Sequence, residues 1–125
     1  MIKEGKKKTQ SLTVVKSKTA KSMKSGGLEV LATPAIVAHM EQVAYNLIKD
    51  LTGEESVGGF ILVKHERPSK IGDKIKTMAL ITKVENKKIS FIVSSFDSKG
   101  IIAQGEHVRF IIDPTGFMKK LEGSL

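Results

Sequence analysis

Residues 31–51 read LATPAIVAHMEQVAYNLIKDL and predict the long helix that decides the fold. Apolar side chains recur there at intervals of three and four residues, which is typical of a helix with one buried face. Thr33 lies where an N-cap is expected, and Pro34 suits the first turn. Gly53 is expected to end the helix, and His39 is expected to project away from the buried face. That face is predicted to contain Ile36, Val37, Met40, Val43, Ala44, Leu47, Ile48 and Leu51.

Beyond this helix the hydrophobic period changes to two residues, which is typical of β-strands. In SVGGFILVKHERP, for example, Ile61, Val63 and His65 share one side. Three more alternating segments follow, joined by tight polar turns: DKIKTMALITKV, KISFIVSSFD and IIAQGEHVRFIID. Long strands joined by short turns indicate an antiparallel sheet. We therefore expect one α+β domain spanning residues 1–125, with the helix packed on a sheet of about five strands.

The net charge of +8 is concentrated at the N-terminus. Residues 1–24 contain eight lysines and one acidic residue, whereas residues 25–125 contain 13 basic and 12 acidic residues. We interpret residues 1–24 as a basic arm with room for a short first strand around Leu12 and Val14. Such an arm either attracts the phosphates of a nucleic acid or a nucleotide, or is simply solvated. It lacks aromatic side chains that stack on bases, so nucleic acid is not an expected partner.

The composition argues against several other classes of protein. The chain has no cysteine, so it forms no disulfide and uses no thiolate, which agrees with a reducing compartment. No segment approaches the roughly 20 apolar residues that span a bilayer, and the first residues lack the apolar core of a secretory signal. The histidines do not have the spacing of metal ligands. We expect a cytoplasmic protein with neither a metal nor a membrane as partner.

Three polar side chains at or near the helix and the first long strand are candidates for a site. Thr33 either only caps the helix or also binds a ligand at the helix start. Glu41 lies at the rim of the apolar face, where it is either solvated or, in a stripe with Ala38 and Tyr45, turned towards a partner subunit. His65 continues an apolar strand face, and a lone histidine there is more often structural.

The last predicted strand carries two further candidates. His107 and Arg109 share a strand face with Gly105. A glycine inside a strand often marks a place where another backbone or a ligand approaches closely.

Three segments, in order and spacing, resemble the fluoroacetyl-CoA-thioesterase-like branch of the hotdog-fold thioesterases. They are VLATPAIVAHMEQVA, SVGGFILVKHERPSKIGDKI and ISFIVSSFDSKGIIAQGEHVRFIID, and the resemblance runs from about Val30 to Phe117. The signatures are A-T-P-x-x-V-x-x-M-E, S-V-G before a strand that ends in histidine, a Gly-Asp turn, and G-x-H-x-R. The fold of this family, a long central helix wrapped by an antiparallel sheet, agrees with the independent prediction.

The resemblance also implies a site. Hotdog domains usually form homodimers with the acyl-CoA site between subunits, and in this branch a Thr, a Glu and a His act together on the thioester. The matching catalytic residues here are Thr33, Glu41 and His65. The backbone at Gly58 is implied to bind the thioester carbonyl, and the sequence leaves open whether a side chain or water attacks. The residues implied to contact substrate are Gly58, Gly59 and Arg109.

Two departures from the family pattern narrow the expected substrate. Gly59 replaces the threonine that commonly follows S-V-G, so the function of that hydroxyl is lost. The segment before Thr33, SGGLEV, lacks the phenylalanine that forms an aromatic lid in the fluoroacetate-specific enzyme. We therefore expect an acyl-CoA thioesterase for small or medium, non-fluorinated acyl groups, with coenzyme A only as part of the substrate. The alternative is a non-catalytic hotdog module that binds acyl-CoA or another small ligand.

Overall fold

A computed structural model describes residues 2–123, so residues 1, 124 and 125 of the predicted domain lie outside the described part. The strands form one antiparallel sheet of order β1-β3-β4-β5-β2, which confirms the predicted α+β fold with about five strands. The strands are β1 (Lys7–Thr13), β2 (Glu55–His65), β3 (Lys74–Glu85), β4 (Lys88–Asp97) and β5 (Gly100–Ile112). The helices are α1 (Ala20–Met23), α2 (Thr33–Thr52) and α3 (Pro114–Leu121).

Helix α2 packs its apolar face on the sheet, as predicted. It ends at Gly53, whose φ of 74° is the left-handed conformation that favours glycine. The prediction that Thr33 is the N-cap is wrong, because Ala32 occupies that position and Thr33 is the first helical residue. Val37 and Leu51 are half-buried. The buried residues of α2 are Ala35, Ile36, His39, Met40, Val43, Ala44, Leu47 and Ile48.

His39 is only 6 % exposed, so the prediction that it projects away from the buried side is wrong. The N-terminal segment covers this flank of α2, where Leu12 and Lys18 line the same cavity as His39. Burial and the nearby charge of Lys18 lower the pKa of His39. The imidazole is therefore a neutral, buried group at pH 7.

The basic N-terminal segment is part of the fold rather than a free arm. Strand β1 pairs with β3 along its length, which confirms the predicted first strand. Lys8 forms an ion pair of 2.6 Å with Asp50 of α2. Residues 19–31, which include α1 and which we call the strap, then cross to the start of α2. Both ends of the strap are joined by a bridge between Thr19 and Leu31.

The sheet turns one face to α2 and the other outwards. A Cβ at Gly105 of β5 would collide with the carbonyl oxygen of Leu62 in β2, so only glycine permits this close approach. The strand pattern predicted such an approach. The outer face is partly apolar, and its exposed side chains include Phe60, Leu62, Ile92 and Phe110. The residues of the inner face that belong to the hydrophobic core are Ile75, Ala79, Ile81, Ile89, Phe91, Val93 and Ile111.

The chain continues beyond β5 into α3, an element that the sequence analysis did not predict. β5 ends at Ile112, just before Pro114, where the end of the last strand was predicted. The Asp113 side chain then caps α3 by accepting a hydrogen bond of 3.0 Å from the backbone N–H of Gly116. Within residues 2–123, no helix has the length and apolarity needed to cross a membrane.

Candidate active site

Thr33 and His65 meet where the start of α2 lies beside the end of β2. The Thr33 Oγ1 atom is 2.7 Å from His65 Nδ1, although the two residues are 32 positions apart. The other ring nitrogen, Nε2, is buried and has no hydrogen-bond partner among the described residues. An imidazole in contact with a hydroxyl can take up or return its proton. The pair is therefore suited to proton transfer at the hydroxyl.

Thr33, Glu41 and His65 line a single cavity of about 610 Å³. Thr33 and Glu41 are separated by about 12 Å along the helix axis, so an extended ligand can contact both. A volume of this size is typical of small-molecule sites. The other lining residues are mostly apolar: Ala20, Ser25, Val30, Leu31, Pro34, Val37 and Ala38.

Glu41 also faces Gly58 and Arg109. It lines a neighbouring cavity of about 440 Å³, whose wall includes Tyr45 and Arg109. The backbone of Gly58 passes so close that a Cβ there would lie 3.0 Å from Glu41 Oε2 and 3.4 Å from Arg109 Nη1. The fold thus brings together five of the six residues that the family resemblance implied for the site. They form two groups that share Glu41.

The sixth residue, Gly59, lies differently. The register between β2 and β5 shifts between Gly58 and Phe60, which marks a β-bulge at Gly59. A Cβ at Gly59 would collide with the ring of Phe110, which lies on the outer side of the sheet. Gly59 therefore packs against an aromatic ring that faces away from Arg109 and Glu41. Its contact with substrate stays a prediction, and the packing explains the glycine without it.

Arg109 is a buried cation, with 7 % of its surface exposed. Its Nε donates to the Ser56 hydroxyl at 2.9 Å, and its Nη2 donates to the Ser56 carbonyl at 3.0 Å. Its Nη1 lies 3.2 Å from His107 Nε2, and its guanidinium carbon lies 5.6 Å from the ring centroid of Tyr45. The sequence analysis identified Arg109 and His107 but not Ser56, because a single serine in a strand has no distinguishing pattern.

Burial shifts the pKa values of His107 and Arg109. Burial is the main cause that lowers the pKa of His107; the hydrogen bond to the Phe60 carbonyl opposes this, and the charge of Arg109 adds to it. Burial also lowers the pKa of Arg109, although a guanidinium stays protonated at neutral pH. One fixed positive charge therefore lies near Glu41. Among residues 2–123, no group of His, Asp or Glu is arranged to hold a metal ion.

A long helix across a five-stranded antiparallel sheet, with a Thr–His pair in a cavity at the helix start, places the protein among the hotdog-fold thioesterases. The solved structure of the fluoroacetyl-CoA thioesterase FlK has a TM-score of 0.91 at 26% identity, covering 100% of this chain and 98% of that chain. A hot-dog-like protein from Thermanaerovibrio acidaminovorans has a TM-score of 0.87 at 21% identity, with 98% and 92% covered. The latter likeness supports the fold alone.

The family follows from the sequence match. Residues 14–115 match the model of the FlK family, described as fluoroacetyl-CoA-specific thioesterase. The chain therefore belongs to this family and is a thioester hydrolase. The match confirms the resemblance seen in the motifs of the sequence. A variant of FlK solved in complex with acetyl-CoA is similar to this chain, with a TM-score of 0.90 at 25% identity and 98% of each chain covered. A comparison with curated proteins gave no match.

Proposed function

We propose that the protein hydrolyses coenzyme A thioesters of small or medium, non-fluorinated acyl groups to the free acid and CoA. The observation that carries the proposal is the 2.7 Å contact between Thr33 and His65 in the cavity that Glu41 also lines. The FlK variant solved with acetyl-CoA supports a CoA thioester as the ligand. A cytoplasmic location is part of the proposal, since a chain without cysteine suits a reducing compartment.

Hydrolysis needs a nucleophile, a base, and donors for the oxygen that becomes negatively charged. We assign the transfer of protons to His65. Three routes use the same residues: the Thr33 hydroxyl attacks as its proton passes to His65, the Glu41 carboxylate attacks, or Glu41 deprotonates an attacking water. In each route the carbonyl carbon becomes tetrahedral, the C–S bond breaks and CoA leaves as the thiol. Water completes the release of any acyl-enzyme formed by Thr33 or Glu41.

The developing oxyanion is assigned to the backbone N–H of Gly58. This part of β2 lies against Glu41, and the absence of a Cβ leaves space for the substrate beside the carboxylate. Backbone donors fixed by a sheet stabilise such an oxygen without having to reorient during the reaction. Arg109, buried behind Gly58, adds positive charge on the same side.

The type of acyl group that we expect is inferred from the strap residues that line the cavity. Val30 and Leu31 supply apolar wall to the cavity, whose lining contains no aromatic side chain apart from His65. Leu28, near the place where the fluoroacetate-specific enzyme carries its aromatic lid, is 70% exposed. An aliphatic acyl group therefore meets apolar surface without a specific contact for fluorine. Acetyl and short-chain groups should be accepted without preference for fluoroacetyl.

The proposal includes a homodimer whose interface contains the site. Strand β2 is an edge of the sheet, so one side of its backbone has no strand partner among the described residues. The stripe formed by Ala38, Glu41 and Tyr45 is exposed or half-buried beside it. A second copy related by two-fold symmetry would pair with β2 and cover this stripe.

A thiol-release assay over a panel of acyl-CoAs tests the function. Acetyl-, propionyl-, butyryl-, hexanoyl- and fluoroacetyl-CoA are compared by kcat/KM. We expect turnover of the short unfluorinated substrates, with fluoroacetyl-CoA no better than acetyl-CoA. Saturable binding of every acyl-CoA without release of thiol would instead support the non-catalytic alternative. A strong preference for fluoroacetyl-CoA would contradict the assignment based on the strap.

A further inference from the structure

His107 is a buried histidine without a part in the reaction proposed above. It is 1% exposed, and its ring stacks on Phe91 with 5.8 Å between the ring centroids. Its Nδ1 lies 2.7 Å from the carbonyl oxygen of Phe60, which can only accept a hydrogen bond, so Nδ1 carries the proton. The lone pair of a neutral ring is then on Nε2, which accepts from Arg109 Nη1 at 3.2 Å. The backbone of β2 thus fixes the tautomer that Arg109 requires.

Ser56 and His107 together hold the guanidinium of Arg109 in place. The Ser56 hydroxyl and carbonyl accept from Nε and Nη2, and the His107 ring accepts from Nη1. A guanidinium near a carboxylate ordinarily forms a paired, bidentate contact with it. Glu41 and Arg109 attract each other electrostatically, yet no hydrogen bond or ion pair joins them among the described contacts. The carboxylate therefore stays free of the cation beside it.

These three side chains converge on one point above Gly58. The position of a Cβ on that glycine would lie 3.0 Å from Glu41 Oε2, 3.4 Å from Arg109 Nη1 and 3.4 Å from His107 Cε1. A rotation of the guanidinium towards this point would bring Nη1 to the carboxylate. The contact between Nη1 and His107 opposes that rotation.

We propose that His107 is a positioning residue, which holds Arg109 as a fixed charge near Glu41 and prevents it from pairing with the carboxylate. This inference rests on the proposed function, because it assumes that Glu41 acts on the thioester. His107 itself does not contact the reacting atoms. Its contribution is to leave both carboxylate oxygens available to the substrate or to water.

Two substitutions separate this function from simple packing. His107→Phe keeps a flat ring against Phe91 but removes the acceptor for Arg109 Nη1. His107→Gln places an amide N and O where they can donate to Phe60 and accept from Arg109. We expect His107→Phe to lower kcat by about 10- to 100-fold with a smaller change in KM, because a catalytic group displaced by about 1 Å costs a comparable factor. We expect His107→Gln to recover kcat to within about threefold of wild type.

His39 provides the matched control and Glu41 the test of coupling. His39→Phe replaces another buried histidine, 6% exposed, which lines the 440 Å³ cavity but forms no hydrogen bond with Arg109 among the described residues. It should keep kcat within about threefold of wild type even if the protein melts earlier. In a double variant with Glu41→Gln, His107→Phe should add almost nothing to the loss caused by Glu41→Gln alone, because residues that act as a unit are not additive.

The measurement is kcat and KM for acetyl-CoA, with the melting temperature, in wild type and these variants. Loss in His107→Phe, recovery in His107→Gln and non-additivity with Glu41→Gln would support the proposal. It would be overturned by wild-type kcat in His107→Phe, by a loss in His107→Gln or in His39→Phe as large as that in His107→Phe, or by losses that multiply in the double variant. Wild-type kcat in Glu41→Gln would contradict the proposed function itself and this inference with it. An effect of Glu41→Gln without one of His107→Phe would contradict this inference alone.

Discussion

A single methyl group at Gly58 should disturb the site, because Glu41, Arg109 and His107 all approach the space that its Cβ would occupy. In Gly58→Ala the nearest neighbour is Glu41 Oε2 at 3.0 Å, the end of a flexible side chain, which must move by a few tenths of an ångström. We expect kcat for acetyl-CoA to fall about tenfold, since small misplacements of a catalytic group are costly, with little change in melting temperature.

Gly27→Ala is the matched control for that substitution. An added Cβ at Gly27 meets nothing within 4 Å, so the same chemical change occurs in open space. It should leave kcat near the wild-type value. Equal kcat in Gly58→Ala and Gly27→Ala would contradict the placement of the reacting group beside Gly58.

At the same scale, the sequence indicated which residues lie together in the fold more reliably than it indicated the contacts of each side chain. Thr33 was predicted as a helix cap from its position, but its hydroxyl lies against His65, 32 residues away in the chain. Local spacing cannot predict such a long-range contact, and the family resemblance supplied the link. Ser56 was missed as the partner of Arg109 for the same reason. His39 was misplaced because the helical pattern cannot show that the N-terminal segment packs on that side.

At the scale of elements, the strap places positive charge beside the proposed site. Lys21 and Lys24 lie between Ala20 and Ser25, which line the cavity. Coenzyme A carries a pyrophosphate and a 3′-phosphate, so these lysines are placed to attract its nucleotide end. Replacing both with Gln should raise KM for acetyl-CoA severalfold at low salt. The difference should shrink near 1 M salt, where charges are screened beyond about 3 Å.

The matched control removes two lysines of β3. Lys74 and Lys76 are exposed and alternate with the buried Ile75, so they point away from the helix side of the sheet. Their replacement with Gln should change KM little at any salt concentration. If the Lys21/Lys24 and Lys74/Lys76 double variants raise KM equally, the cause is the overall charge of the protein and not the position of the strap lysines. Deleting residues 1–8 is a poorer test, because Lys7 and Lys8 belong to β1 and pair with β3.

Most elements could be predicted because their patterns are strong and local. Helix α2 and the four long strands show clear periods of about 3.6 and two residues, and their ends carry glycine or turn signals. The bulge at Gly59 gave no such signal, since it depends on the register with β5. Helix α3 was missed because it is short and has no buried residue. The basic segment was predicted to contain a short strand, but its pairing with β3 was not, because strand pairing depends on contacts distant in the sequence.

At the scale of the whole molecule, stability should depend on pH through two buried histidines. Burial lowers the pKa of His39 and His107 below 6.5 in the folded state, whereas the unfolded chain titrates near that value. As the pH falls below 6.5 the unfolded chain binds more protons, so the free energy of unfolding decreases. The melting temperature should be nearly constant from pH 8 to 7 and should fall by several degrees towards pH 5.

Replacing His39 with Phe removes one of these groups and should flatten that dependence, measured by thermal unfolding at a series of pH values. A melting temperature that rises on acidification from pH 7 to pH 5 would contradict the burial of neutral histidines. Carboxylates affect the stability at lower pH than the histidines do. One example is Glu55, whose pKa is lowered by the hydrogen bonds from Lys49 and Tyr45. Their contribution is lost only as these groups become protonated.

Assembly is the second prediction at this scale. If a second copy pairs with the free edge of β2 and covers Ala38, Glu41 and Tyr45, the protein is a dimer in solution. Light scattering at micromolar concentration should give about twice the chain mass of 13.6 kDa. A stable monomer that hydrolyses acyl-CoA would refute a site at the interface, while leaving the residues of the cavity in place.

The central claim is that Glu41 and His65 act together on a CoA thioester in the cavity beside Thr33. The most direct measurement is the rate of thiol release from the best acyl-CoA by Glu41→Gln and His65→Ala, with Glu106→Gln as an isosteric control on the exposed side of β5. We predict that Glu41→Gln and His65→Ala each lower kcat by about 100-fold or more, which is the usual effect of losing a general base. All three variants should melt near the wild-type temperature. Near wild-type turnover by folded Glu41→Gln and His65→Ala would contradict the account.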